Sequence, residues 1–162
     1  VSNGRILLLA LGYVDADRLG PIEVWYSGSG EVLRLQNGHV VGVVGSTDEW
    51  RHVRLSAMPA WPVPPAVATY QRVRDTMPDY RFNITDDMTM RATQPPAQTN
   101  LQGVQPQDLR WYEAVDREGR LAPSRIALAG PGSQGGVPVY GEQCISAALC
   151  VSWQQWPPTP RR

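Results

Sequence analysis

The sequence predicts an all-β domain: an antiparallel meander forming a β-sandwich or barrel-like structure of roughly ten to twelve strands, with little helix. Three observations lead there. Gly and Pro number 15 each in 162 residues, which punctuates the backbone too often for long helices. The apolar residues, 42% of the chain, fall in short runs rich in β-branched and aromatic side chains, several of period two. Asn37-Gly38 stands between two such runs, and Asn-Gly is the strongest local hairpin signal because both turn residues need positive φ.

Taken in order, "GRILLLALGYV" holds an apolar run of roughly nine residues, short of the ~20 that a spanning helix needs. No small-x-small cleavage site follows it, so the expectation is a buried central strand rather than the tail of a signal peptide. "PIEVWYS" is a short strand. "EVLRLQNGHVVGVVG" is a hairpin with a two-residue turn, which sets Gln36 opposite His39, Leu35 opposite Val40, Arg34 opposite Val41, Leu33 opposite Gly42 and Val32 opposite Val43. Leu33, Leu35, Val40 and Gly42 then form the better core face. "EWRHVRLSAMPAW" is a strand and "WPVPP" at 61–65 a break. "AVATYQRVRD" leans to a strand through its β-branched and aromatic residues. "MPDYRFNI", a turn at "TDD" and "MTMRATQ" read as a second hairpin.

The polar, Pro-rich 95–108 reads as a long loop or linker. The organisation is therefore a single domain over 1–162, the alternative being two lobes, about 1–94 and 109–158, joined by 95–108. "LRWYEAVD", a turn at "REGR", "SRIALA", a flexible turn at 130–136 and "VPVYGEQCISAALCVSW" complete the ordered chain, and "PPTPRR" reads as a frayed tail.

Charge excludes some functions. Fifteen cations, all Arg, balance 15 carboxylates, so no global field favours nucleic acid or an anionic membrane. Cys144 and Cys150 are the only cysteines. They and the two histidines, His39 and His52, lack zinc-site spacing, so no metal is expected. No motif of a catalytic thiol surrounds Cys144. A disulfide remains; it cannot form within a helix, where residues six apart are ~9 Å apart by rise alone, but a tight turn allows it. It implies an oxidising compartment. "GPGSQGG" lacks the G-K-[ST] and helix of a phosphate loop, and "TDD" and "DREG" are ordinary turn chemistry. No catalytic residue or cofactor is predicted.

The chain has six Trp and six Tyr against one Phe. These residues join an apolar body to a polar tip, the chemistry of a glycan platform or protein interface, although a β-rich core consumes them too. Neighbours on a strand point to opposite faces, so one of Trp25 and Tyr26, and one of Trp111 and Tyr112, is expected to face outward as a glycan or partner contact. A glycosidase would instead need two carboxylates ~5–10 Å apart. Glu113 with Asp116, or Glu142, are the candidates.

"LGYV", "VWYSGSGEVLRLQNGHVVGVVG", "YQRVRDTMPDYRF", "LRWYEAVD" and "VYGEQCISAALCVSWQQWPP" together resemble the YjbF/GfcB family of bacterial lipoproteins, linked to group 4 capsule and exopolysaccharide production. The resemblance runs in order from about Ile6 to Pro158. It is most specific from Trp25 to Gly45 and from Tyr140 to Trp156. It implies a lipid-anchored protein on the periplasmic face of the outer membrane, its anchor lying before Val1. The implied partners are a surface polysaccharide, polysaccharide secretion proteins, or both. The family has no established catalytic motif, so the resemblance carries over no active site. It agrees with the disulfide on an oxidising compartment.

Overall fold

The Asn37-Gly38 turn closes as the sequence requires. Both residues are left-handed, with φ of 49° and 84°, and they join β3 (Val32–Gln36) to β4 (His39–Val44). The computed structural model describes residues 4–58, 61, 66–129 and 136–157. The other described strands are β1 (Leu9–Asp15), β2 (Ile22–Ser27), β5 (Glu49–Leu55), β6 (Val67–Met77), β7 (Arg81–Thr93), β8 (Arg110–Asp116), β9 (Ser124–Leu128), β10 (Pro138–Cys144) and β11 (Cys150–Gln154). Each pairs antiparallel with its neighbours in sequence, so the order in the sheet is the order in the chain. Among the described residues the one helical element is a 3-10 turn at Pro106–Asp108. The sheet curls into a half-barrel.

Curling brings β3 to β5 against the turn between β10 and β11. Leu35, Val40, Val43 and Trp50 of β3 to β5 pack with Ile145 and Leu149 of the turn between β10 and β11. A second cluster lines the middle strands, with Tyr70, Met88, Met90, Tyr112, Ala114, Ile126 and Leu128. Alternation puts these on one face: Tyr70 lies opposite Met88, Met90 opposite Ala114, and Tyr112 opposite Ile126.

Three expectations need correction. The β3–β4 register holds for Gln36–His39 and Leu35–Val40, then slips. Val41 is an extra residue, so Arg34 faces Gly42, Leu33 faces Val43 and Val32 faces Val44. Val43 therefore takes the core place expected of Gly42, and Val41 is buried as well. "TDD" is not a turn. β7 runs straight through it with Ile84, Asp86, Met88 and Met90 all buried, and the chain reverses earlier, at Pro78–Tyr80. The apolar N-terminal run is not a central strand. Among the described residues β1 is an edge strand with one partner, and Leu11, Tyr13 and Val14 are exposed, as are Ile6 and Leu8 before it. The Pro-rich 95–108 joins β7 to β8, which pair directly from Met88–Asp116 to Thr93–Trp111, so the strands on either side of it belong to one sheet. The break at 62–65, the Gly-rich 130–135 and the tail 158–162 lie outside the described residues.

Candidate functional site

Both aromatic residues of β8 are inside, at 2% exposure for Trp111 and 8% for Tyr112. Strand alternation does send them to opposite faces, but both faces are covered. Tyr112 belongs to the main core, with the Trp61 ring 5.1 Å away. Trp111 stacks edge-on to Tyr140 at 5.7 Å beneath Leu101 and Leu109, and its Nε1 donates to the Pro106 carbonyl at 2.8 Å. The Pro-rich segment is thus a strap across the outside of β8 to β11. It is tied down by polar bonds: Asn100 N donates to the Tyr140 hydroxyl, and Gln102 and Gln154 exchange two bonds of 2.8 and 2.7 Å. Both Trp111 and Tyr112 are buried, which corrects the expectation that one faces outward.

β2 behaves as alternation predicts. Trp25 is half-buried against the cluster of Leu35, Val40, Val43 and Trp50, its Nε1 donating to Glu23 at 3.0 Å. Tyr26 points the other way and is 41% exposed. Its ring centroid lies 6.3 Å from that of Tyr13 on β1.

The candidate carboxylates do not assemble as proposed. Glu113 and Asp116 are three apart on one strand and so face opposite sides. Glu113 and Glu142 do share a face, because Glu113 is opposite Arg125 and Arg125 is opposite Glu142. Two strand spacings put their backbones ~10 Å apart. The Arg125 guanidinium stands between them, 3.5 Å from Glu113 and 3.4 Å from Glu142. Glu142 also accepts from the Tyr140 hydroxyl at 2.6 Å. Burial and that bond push the Tyr140 phenol up to about 12.

Asp116 belongs to a different assembly, which sequence reasoning missed. On the concave face, fully buried Asp86 accepts from Arg72 Nε at 2.8 Å and from Arg74 Nε and Nη2 at 2.7 and 3.1 Å. Arg120 lies 3.2 Å from Asp86 and 3.0 Å from Asp116. Arg72 also donates to Gln143, and the Arg72 and Arg74 guanidiniums sit 4.5 and 5.0 Å from the centre of the Trp50 ring. Burial works to raise the Asp86 carboxyl, but the bonds from Arg74 and Arg72 outweigh it and hold the group below the ordinary range. Asp116 is likewise lowered, burial opposing and Arg120 prevailing. Carboxylates held ionised in this way suit structure more than general acid work, which needs a raised pKa. The signal was present: Arg72, Arg74 and Asp86 sit at inward positions of two long period-two strands.

His39 borders this network. It is buried, its ring 5.7 Å from Tyr70 in an edge contact, and its Nε2 has no hydrogen-bond partner among the described residues. Burial, with Arg72 nearby, lowers its pKa to about 4.

Cys144 and Cys150 are directly opposite each other at the end of the β10–β11 ladder and form a disulfide. The bridge borders a cleft of ≈ 440 Å³ between the β8–β9 and β10–β11 turns, with Asp116 and Arg120 in its wall. Among the described residues no three His, Cys, Asp or Glu converge as metal ligands, and no helix is long and apolar enough to cross a membrane.

The half-barrel has a counterpart among solved structures. It is similar to the crystal structure of the hypothetical lipoprotein YmcC from Escherichia coli (K12), with a TM-score of 0.66 at 14% identity. The match covers 99% of this chain and 83% of that one. No family model and no curated protein matches the sequence. At this identity the likeness establishes the shared fold.

Proposed function

We propose that this chain is a lipid-anchored module on the periplasmic face of the outer membrane. It assists export or assembly of a capsule or exopolysaccharide by binding glycan or a secretion partner, without catalysing a reaction on the polymer. The observation that carries this reading is the half-barrel shared along 99% of the chain with a protein described as a lipoprotein. The ordered resemblance to capsule-associated lipoproteins supports it. So does the Cys144–Cys150 disulfide, a bond at home in an oxidising compartment. Of the four candidate aromatic residues, Tyr26 is the one that keeps an exposed ring.

The second reading is an enzyme that cuts or edits the polymer, and it rests on Glu113 and Glu142 sharing a face. The test of the first is gene deletion and complementation. Deletion should lower exported polymer, and the wild-type gene should restore it. Unchanged polymer in the deletion strain would overturn the proposal.

A further inference from the structure

The edge of the sheet is built in a way that the core does not require. Leu11 is opposite Trp25, so regular pairing would set Gly12 opposite Val24 and Tyr13 opposite Glu23. Instead Gly12 is an extra residue in β1, and Tyr13 is opposite Val24 and Asp15 opposite Ile22. A bulge of this kind re-aims the side chains that follow it. Here it moves Tyr13 and Asp15 from the Trp25 side of the sheet to the side that carries Tyr26 and Arg34, for Arg34 is opposite Val24 as well.

Two glycines then flatten that surface. A Cβ on Gly12 would stand 2.5 Å from the Tyr26 ring, so the ring lies directly on the Gly12 backbone. A Cβ on Gly42 would stand 2.9 Å from Arg34 Cδ, so the Arg34 stem lies on Gly42 in the same manner. The outcome is a shelf. Two tyrosine rings are tilted 41° to each other, and beside them an Arg34–Asp15 ion pair of 2.7 Å has both side chains part-exposed. Val24 beneath is 1% exposed, so the shelf rests on packed structure.

We propose that this shelf is a glycan-contact site, with Tyr13 and Tyr26 taking the C–H faces of sugar rings and Asp15 and Arg34 taking hydroxyl or carboxylate groups at their rims. This deepens the proposed function and rests on it. The chemistry favours sugar over protein. Phenol rings offer an apolar face and a polar tip together, and the charged pair beside them supplies both donors and acceptors. A stable protein partner needs about 800 Å² on each side, more than four side chains present, whereas one or two sugar rings fit the shelf.

The test is retardation in native gels cast with polymer, using dextran as neutral probe, alginate as acidic probe, and the polysaccharide shed by producing cells. At least one probe should retard the wild-type chain relative to an inert reference protein. Tyr13→Ala/Tyr26→Ala should weaken retention at least tenfold. Gly12→Ala keeps both phenols but drives a methyl group into the Tyr26 ring, and should weaken it severalfold. Tyr13→Phe/Tyr26→Phe should retain most of it. Arg34→Gln should matter most for alginate if the rim reads carboxylates. Three results would overturn the proposal: no retardation by any probe, undiminished retention in the folded double alanine variant, or loss of a co-purifying protein in that variant with polymer binding unchanged. If Tyr26-dependent retention is seen and gene deletion leaves polymer output intact, the shelf stands and the export role fails.

Discussion

Replacing Asp86 by Asn should be among the most damaging conservative changes in the molecule. The amide keeps the shape of the carboxylate but removes its charge. It would leave the Arg72 and Arg74 side chains, 5% and 6% exposed, without their buried counterion, and the Arg120 contact at 3.2 Å would lose its charge. Breaking a buried pair by removing one partner costs about 3–5 kcal/mol, because the surviving charge stays desolvated. At ~2–4 °C per kcal/mol for a chain of this size, Tm should fall by about 10 °C. Thermal unfolding followed by near-ultraviolet circular dichroism reads this directly. The cause can be separated from lost packing. Asp86→Leu combined with Arg72→Met and Arg74→Met removes the charges together and should recover much of the stability, since apolar replacement of a buried ion group is often neutral. An Asp86→Asn protein within ~2 °C of wild type would refute the reasoning.

Other predictions follow from single features. His39 is lowered to about 4 in the fold against 6.5 for the ordinary group, so between those values the unfolded chain holds a proton that the folded chain does not. Its contribution is present above pH 6.5 and lost as pH falls towards 4, on the order of 3 kcal/mol. Urea midpoints at pH 7, 5.5 and 4.5 should show the loss, and His39→Phe should flatten it. Loss of the lowered Asp86 and Asp116 carboxylates falls at lower pH, below their ordinary value of 3.8. Gly38→Val forces a β-branched residue to a φ of 84° and sets its Cβ 2.6 Å from Pro138; strain and crowding together should cost about 2–4 kcal/mol in chemical denaturation. The disulfide should show as a two-hydrogen gain in intact mass on reduction, and Cys144→Ala/Cys150→Ala should cost on the order of 2 kcal/mol for so short a loop.

Strand identity was largely legible because local rules govern it. The Asn37-Gly38 turn, the alternation in "MTMRAT" and the β-branched content of "AVATYQRVRD" each act within a few residues. What sequence reading missed depends on partners far along the chain. Asp86 looked like a turn residue because its counterions, Arg72 and Arg74, come from the preceding strand. Trp111 looked available because nothing local says that the Pro-rich segment folds back over it. The N-terminal run looked like core because its apolar content is high, but only sheet order tells an edge strand from a central one. The bulges at Gly12 and Val41 shift registers by one residue, which the period-two pattern alone does not reveal. Tyr26 was singled out from sequence. Its companion Tyr13 was not, since it reaches that face only through the bulge.

The central claim is that the chain supports polysaccharide output without acting on the polymer's bonds. It is tested most directly by exported polymer amount and chain length in cells carrying Glu113→Gln/Glu142→Gln. The amides preserve side-chain shape and can still accept from Tyr140 and Arg125. Binding without catalysis predicts wild-type amount and chain length at wild-type protein level. Lost output or altered chain length, in a variant that is folded and normally abundant, would contradict the claim and make the two glutamates catalytic.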